Sequence, residues 1–278
     1  MKFYRKLALV AMSALAAVSL TSCDYLAELL DLLLDDGGEE DTEYVDKWAN
    51  LVNEDEYDVV VNGNTLTYGS HKYTINAEID LETTEFKEAT ASVSFTHIPS
   101  GLTEFTAVYA NLLGKSIVGT AAMIPMAMEI YARDPKTGAE CLGLLCNGKA
   151  TANEIIAELK NKYIPTEYAG ADDPYLQRYL PAALLKGATN TNAYKPDTPY
   201  TVEMTMSPNG VKEAELSGGV VIYTYILTSG GWDTYQRGVD IFFDNSANNN
   251  PYEVFKVFSC PSCYTQCKTI QGTWAGLK

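Results

Sequence analysis

Twice along this 278-residue chain the spacing of apolar residues changes, and those two changes limit the fold more than any other feature. From Tyr57 to His97 apolar and polar residues alternate, in YDVVVNGNTLTYG, KYTINAEID and ASVSFTHI, so that an extended chain can bury one face. The first of these stretches predicts a hairpin at Asn62-Gly63-Asn64, because Asn and Gly tolerate positive φ. From about Thr103 to Thr189 the interval lengthens to three or four residues. Four helices are expected there, over LTEFTAVYANLLG, SIVGTAAMIPMAMEIYAR, ATANEIIAELKNKYI and DPYLQRYLPAALLKGA. Thr151 with Glu154 has the form of a capping box, Gly114 and Gly187 stand where helices stop, and Pro125 is expected to kink the second helix. From Tyr200 the alternation returns in YTVEMTM, GGVVIYTYIL, GVDIFF and YEVFKVFSC. Turn formers separate these at Ser207-Pro208-Asn209-Gly210, at Ser229-Gly230-Gly231 and from Asp244 to Asn250. Strands, helices and strands again, without βα alternation, predict an α+β fold. Its parts are a small N-terminal antiparallel sheet, central helices and a C-terminal antiparallel β meander. A hydrophobic fraction of 46% suffices for one core, so residues 51–278 are expected to form a single α+β domain.

The first fifty residues read differently. Lys2, Arg5 and Lys6 precede an uncharged apolar run from Leu7 to Leu20, which is the length of a signal-peptide core and too short for a membrane span. It ends in Leu20-Thr21-Ser22-Cys23, which resembles the bacterial lipobox. That resemblance implies cleavage of residues 1–22 and diacylation of Cys23, with the lipid bilayer as partner through the acylated cysteine. Residues 23–50 are then a lipidated N-terminus. Leu26, Leu29, Leu30, Leu33 and Leu34 have helical spacing, and Gly37-Gly38-Glu39-Glu40-Asp41 reads as an acidic tether. An outer-membrane lipoprotein is the expected localisation. Asp24 and Glu28 weakly resemble a surface-export signal and leave the periplasmic and surface faces both open. The formal net charge is −16, and loss of the basic leader makes the remainder more acidic. Such a body is repelled by phosphate backbones, so no nucleic-acid partner is expected.

Six cysteines are present, three of them in SCPSCYTQC near the C-terminus. Cys260, Cys263 and Cys267 could supply thiolates to zinc, with Cys141 or Cys146 as a fourth ligand. Outside the cytoplasm disulfides are the default, and with Cys23 consumed by lipid at most two bridges can form. Disulfides or idle thiols are therefore placed ahead of metal, and redox catalysis last.

Motifs for catalysis are sparse. Gly114-Lys115-Ser116 ends like a phosphate-binding loop, yet Tyr109 stands where the loop needs glycine. The polar run from Asp244 to Asn250 lacks the glycine and distal glutamate of a calcium loop. Only two histidines occur, His71 and His97, neither beside an acid or nucleophile in sequence, and both read as ordinary surface or turn residues. Paired carboxylates for glycoside hydrolysis need not be local, and 36 acidic residues make them unspecific. No cofactor is expected. Tyr223 and Tyr225, at strand spacing, read as core or cross-strand partners.

Three stretches carry a family likeness: EFTAVYANLLGKSIVGTAAMIPMAMEIYARDPKTGAECL at 104–142, PYLQRYLPAALLKGATNTNAYKPDTPYTVEM at 174–204 and SGGWDTYQRGVDIFF at 229–243. They resemble a family of bacterial envelope lipoproteins that share a domain without an assigned function, and the likeness spans about residues 50–278. Within it, a helix ending in Ile-Tyr precedes an Asp-Pro and Gly turn, and Asn192, Tyr194, Pro196, Pro199 and Tyr200 read as an extended connection. The C-terminal cysteines depart from the family pattern. The resemblance implies no catalytic residues. Asp233 and Arg237 are expected either to pair as a brace or to line a binding surface with Trp232. The expectation is a non-catalytic binding or assembly module that meets a glycan or an envelope protein; the alternative is a glycan or peptide hydrolase using carboxylates.

Overall fold

The structure, a computed structural model, describes residues 51–81, 90–163, 176–214, 218–245 and 253–278. The lipidation site Cys23 and the leucine-rich stretch after it lie outside the described residues, as does most of the polar run from Asp244 to Asn250. Among the described residues four strands precede the helices: β1 (Val59–Asn62), β2 (Thr65–Tyr68), β3 (His71–Ala77) and β4 (Ala91–Phe95). Four follow them: β5 (Tyr200–Ala214), β6 (Gly219–Leu227), β7 (Gln236–Asp244) and β8 (Lys256–Ser259). The expected hairpin is present, with Asn62 opposite Thr65 and Gly63 at φ +56.

The two strand regions are not separate sheets. All eight strands form one antiparallel sheet in sequence order, joined where β4 pairs with β5. Val93 lies opposite Val202 and Phe95 opposite Tyr200. Ala91, Val93 and Phe95 face inward from β4, as do Val202 and Met204 from β5. A slip of one residue at this seam would turn both rows to the other face, so the apolar pattern sets the register. The expected turn at Ser207-Pro208-Asn209-Gly210 is instead an excursion within one long strand. Met206 still pairs with Thr224 and Val211 with Ile222 on either side of it. Gly210 at φ +64 and the Asn209 N–H to Ser207 Oγ bond close the bulge, so pairing resumes beyond it.

Between β4 and β5 lie α1 (Leu102–Asn111), α2 (Ile117–Arg133), α3 (Pro135–Leu145), α4 (Lys149–Tyr163) and the single turn α5 (Leu180–Ala183). Every residue of α2 is buried, and the helix touches β4, β5, β7 and β8 as well as the other four helices. A helix buried on every side belongs in the middle of a core, and its two charged side chains meet each other there, Arg133 Nε donating to Glu129 Oε1 at 3.0 Å. It runs on through Pro125 to Arg133. Ser116 caps its start, accepting from Gly119 N–H at 3.0 Å.

Three expectations about the helices need correction. Asp134-Pro135 begins a helix rather than a turn, because the Asp134 carboxylate accepts from Lys136 and Thr137 N–H and proline is compatible with the first helical turn. Thr151 and Glu154 make no capping box: the Thr151 hydroxyl donates to the Phe258 carbonyl and Glu154 accepts from the Tyr264 hydroxyl. The stretch read as a fourth helix yields only α5 among its described residues.

The Asn192–Tyr200 connection is compact where it was expected to be extended. Thr189 and Asn192 form a reciprocal capping box, and the Asn192 amide also donates to the Gly187 and Lys195 carbonyls. Tyr194 is fully buried and stacks on Tyr179 at 4.8 Å. From Cys260 to Lys278 the chain has only one 3-10 turn and crosses the molecule as an extended strap. Its end is held where Arg133 donates to the Leu277 carbonyl and Ile98 N–H to the Lys278 carbonyl.

Candidate functional site

Chemistry-bearing residues gather in three places among the described residues. The first surrounds Glu104, whose side chain is buried in the first turn of α1. Oε1 accepts from His71 Nδ1 and from the Tyr73 hydroxyl, both at 2.8 Å. Oε2 accepts from the backbone N–H and the hydroxyl of Ser100, both at 2.7 Å. Four donors and the positive end of a helix explain how a carboxylate remains so far from water. An ionised carboxylate only accepts, so the His71 proton sits on Nδ1 and Nε2 is left to face other groups.

His97 stacks on His71 with ring centroids 4.1 Å apart. Its Nδ1 lies 3.0 Å from the Thr96 hydroxyl, which accepts from Lys72 N–H and so has its own proton to give to the ring. Partial burial, and then the neighbouring His71, hold His97 below the ordinary histidine value. The same junction is pinned from the N-terminal side by Glu54, which accepts from Leu102 N–H and Thr103 N–H at 2.8 Å. Gly101 caps α1 and has no side chain to do this, and a Cβ there would come within 2.3 Å of the Glu54 carboxylate. His71 and His97 are thus more than ordinary turn residues. No local pattern marked them, since Glu104 is 33 residues from His71.

The second place is the loop between β6 and β7. Trp232 is half-buried, Asp233 exposed, Tyr235 exposed to 64% and Arg237 buried. The expected pairing of Asp233 with Arg237 is not made. Asp233 pairs with Lys268 at 2.9 Å, while the Arg237 guanidinium lies 4.8 Å from the Trp232 ring centre. Arg237 also donates to the Gln236 and Thr234 carbonyls and to the Thr234 hydroxyl, which spends its fork on its own loop. The indole N–H is buried with no partner among the described residues. Three contacts fix the loop. Gly230 bridges Thr189, Gly231 accepts from Lys268 N–H at 2.8 Å, and Thr228 N–H donates to Tyr235 at 2.7 Å. The residues expected to form a surface are brought together, with Tyr235 as an exposed neighbour that the sequence reading had not singled out.

The third place holds the cysteines. Cys141, Cys146, Cys260, Cys263 and Cys267 are all buried free thiols. Burial pushes Cys146 and Cys267 up to about 12 and raises Cys141 as well, so these groups are poor nucleophiles. No cluster of three or more metal-ligating side chains forms among the described residues, and the Cys260, Cys263 and Cys267 zinc alternative gains no support. Cys267 instead donates toward Gln177 Oε1, whose amide also clasps the strap at the Cys267 carbonyl.

A family model described as a domain of unknown function, DUF6935, matches residues 97–271, and the chain belongs to that family. The matched span contains all three stretches that carried the resemblance, the helices, the Trp232 loop and the cysteine cluster. Strands β1 to β4 lie before it, although they complete the same sheet. No curated protein and no solved structure matches the chain.

Proposed function

We propose that this member of the DUF6935 family is a lipid-anchored binding module of the bacterial cell envelope. Acylated Cys23 holds it to the outer membrane, and the loop carrying Trp232, Tyr235 and Arg237 meets a glycan or another envelope protein. The single observation that carries the reading is that loop. An exposed tyrosine stands three residues from a tryptophan already backed by a guanidinium, on backbone tied down at Gly230 and Gly231. Rings held in place lose little freedom on binding, which is why such aromatics dominate recognition surfaces. The lipobox-like Leu20-Thr21-Ser22-Cys23 supports the anchor, and the acidic body supports a partner other than nucleic acid.

A second reading, a glycan or peptide hydrolase, is favoured by the His71–Glu104 pair, since a buried carboxylate that orients an imidazole is the usual support of a general base. One experiment serves both. The full chain carrying Cys23→Ser is titrated calorimetrically with soluble cell-wall and surface-polysaccharide fragments, and the mixtures are then assayed for cleavage products. Tyr235→Ala is expected to weaken binding at least about tenfold without moving the melting temperature. Unchanged affinity in both Tyr235→Ala and Trp232→Ala refutes the binding surface. Product release that disappears in His71→Gln replaces binding with catalysis. Labelled palmitate incorporated equally by the wild-type chain and Cys23→Ser refutes the anchor.

A further inference from the structure

β8 ends at Ser259, and Cys260-Pro261-Ser262-Cys263 turns the chain into the C-terminal strap. The turn is closed by Cys263 N–H donating to the Cys260 carbonyl at 2.9 Å. A turn closed in this way keeps its end Cα atoms within about 7 Å. Disulfides bridge Cα separations of about 4.4–6.8 Å. Both thiols are buried, and Cys263 Sγ lies 3.8 Å from the Gly238 carbonyl.

The other three cysteines are differently committed. Cys267 is bonded to Gln177 and lies beside the Tyr194 hydroxyl. Cys146 ends α3, where its residue bridges Val257 of β8, and Cys141 lies one turn earlier on that helix. From this geometry we infer that Cys260 and Cys263 are an oxidation site, closed as a disulfide when the chain folds in a compartment that supplies a disulfide donor. The reaction is thiol–disulfide exchange. One thiolate attacks the donor and releases a donor thiol; the second attacks the mixed disulfide and releases the other. The protein loses two hydrogens and the donor disulfide is reduced to two thiols. Both sulfurs are sealed from water in the folded chain, and the neighbouring Cys263 thiol and then burial hold Cys260 well above its ordinary value. Exchange therefore precedes final packing, and the bond is inert afterwards. Its place is at the root of the strap whose Lys268 N–H holds Gly231, so the clasp steadies the floor beneath the Trp232 loop.

The inference draws its oxidant from the export reading, and its test is made independent of that reading by refolding in vitro. The full chain carrying Cys23→Ser is unfolded, refolded in a glutathione redox buffer, quenched, unfolded again and alkylated. Intact mass and peptide mapping then locate every thiol. The expected result is three alkylated cysteines, Cys141, Cys146 and Cys267, with Cys260 and Cys263 joined within one peptide. Five alkylated cysteines, or any bridge that includes Cys141, Cys146 or Cys267, overturns the inference. Neither outcome touches the binding measurement on the Trp232 loop, so the two proposals fail separately.

Discussion

Replacing Glu104 by leucine removes the acceptor on which the junction of β3, β4 and α1 converges, and the size of the loss follows from the geometry. Leucine fills nearly the same volume, so the cavity contribution is small. It leaves the Tyr73 hydroxyl, fully buried, and the Ser100 N–H without an acceptor, each a cost of about 1–3 kcal/mol. His71 is partly exposed and recovers water. Set against this, the carboxylate no longer has to be held away from solvent, which trims the total to about 3 kcal/mol. In a domain of this size that lowers the melting temperature by roughly 6–12 °C.

Glutamine at the same position is the diagnostic comparison. Its oxygen can face Ser100 while its amide N–H groups face the Tyr73 oxygen and a His71 ring that has moved its proton to Nε2, so only the Tyr73 O–H is left without an acceptor. The remaining loss, that one donor and the charge-assisted character, is about 1–2 kcal/mol, below that of leucine. Thermal melts followed by circular dichroism, at a pH above the ordinary histidine range, read both variants. If Glu104→Leu melts with the parent protein, or Glu104→Gln falls as far as Glu104→Leu, the account by hydrogen-bond satisfaction is wrong.

Two further perturbations test other parts of the structure. A Cβ on Gly138 would stand 2.1 Å from Tyr131 Cα, so Gly138→Ala must push α3 off the backbone of α2; a loss of about 3 kcal/mol in urea unfolding is expected, and none if that contact is looser than described. His97 has a folded pKa below its unfolded value, so below the ordinary histidine range near about 6.5 the unfolded chain binds the proton more readily. Stability should therefore fall as pH drops through that range toward the folded value, and His97→Gln should flatten that part of a stability–pH curve, whereas an unchanged curve removes His97 from the explanation.

Much of the architecture was legible because it is encoded at short range. Alternation at β2 to β4, the Asn62-Gly63-Asn64 hairpin and the apolar spacing of α1, α2 and α4 each depend on residues a few positions apart, and each appears where expected. The start of α3 was legible too, had Asp134-Pro135 been weighed as a cap followed by a first-turn proline. For the candidate sites, the aromatic and charged residues at 232–237 were visible as a cluster, but their partners were not. Lys268, which takes Asp233 from Arg237, lies far along the chain, and nothing local distinguishes it from any other lysine.

By itself, then, the sequence determined which segments alternate, which coil and where the Asn62-Gly63-Asn64 and Ser229-Gly230-Gly231 turns fall. Only the tertiary structure decided that β4 and β5, with the five described helices between them, close a single sheet, that Glu104 gathers His71, Tyr73 and Ser100, and that Arg237 lies on Trp232. The physical reason is range. A helix or hairpin forms from backbone geometry and side chains within a few residues, so its preference is written locally. The partner of a buried charge or an edge strand is whichever distant group best satisfies it once the core has packed, and that choice is settled by the summed burial and hydrogen bonding of the whole chain.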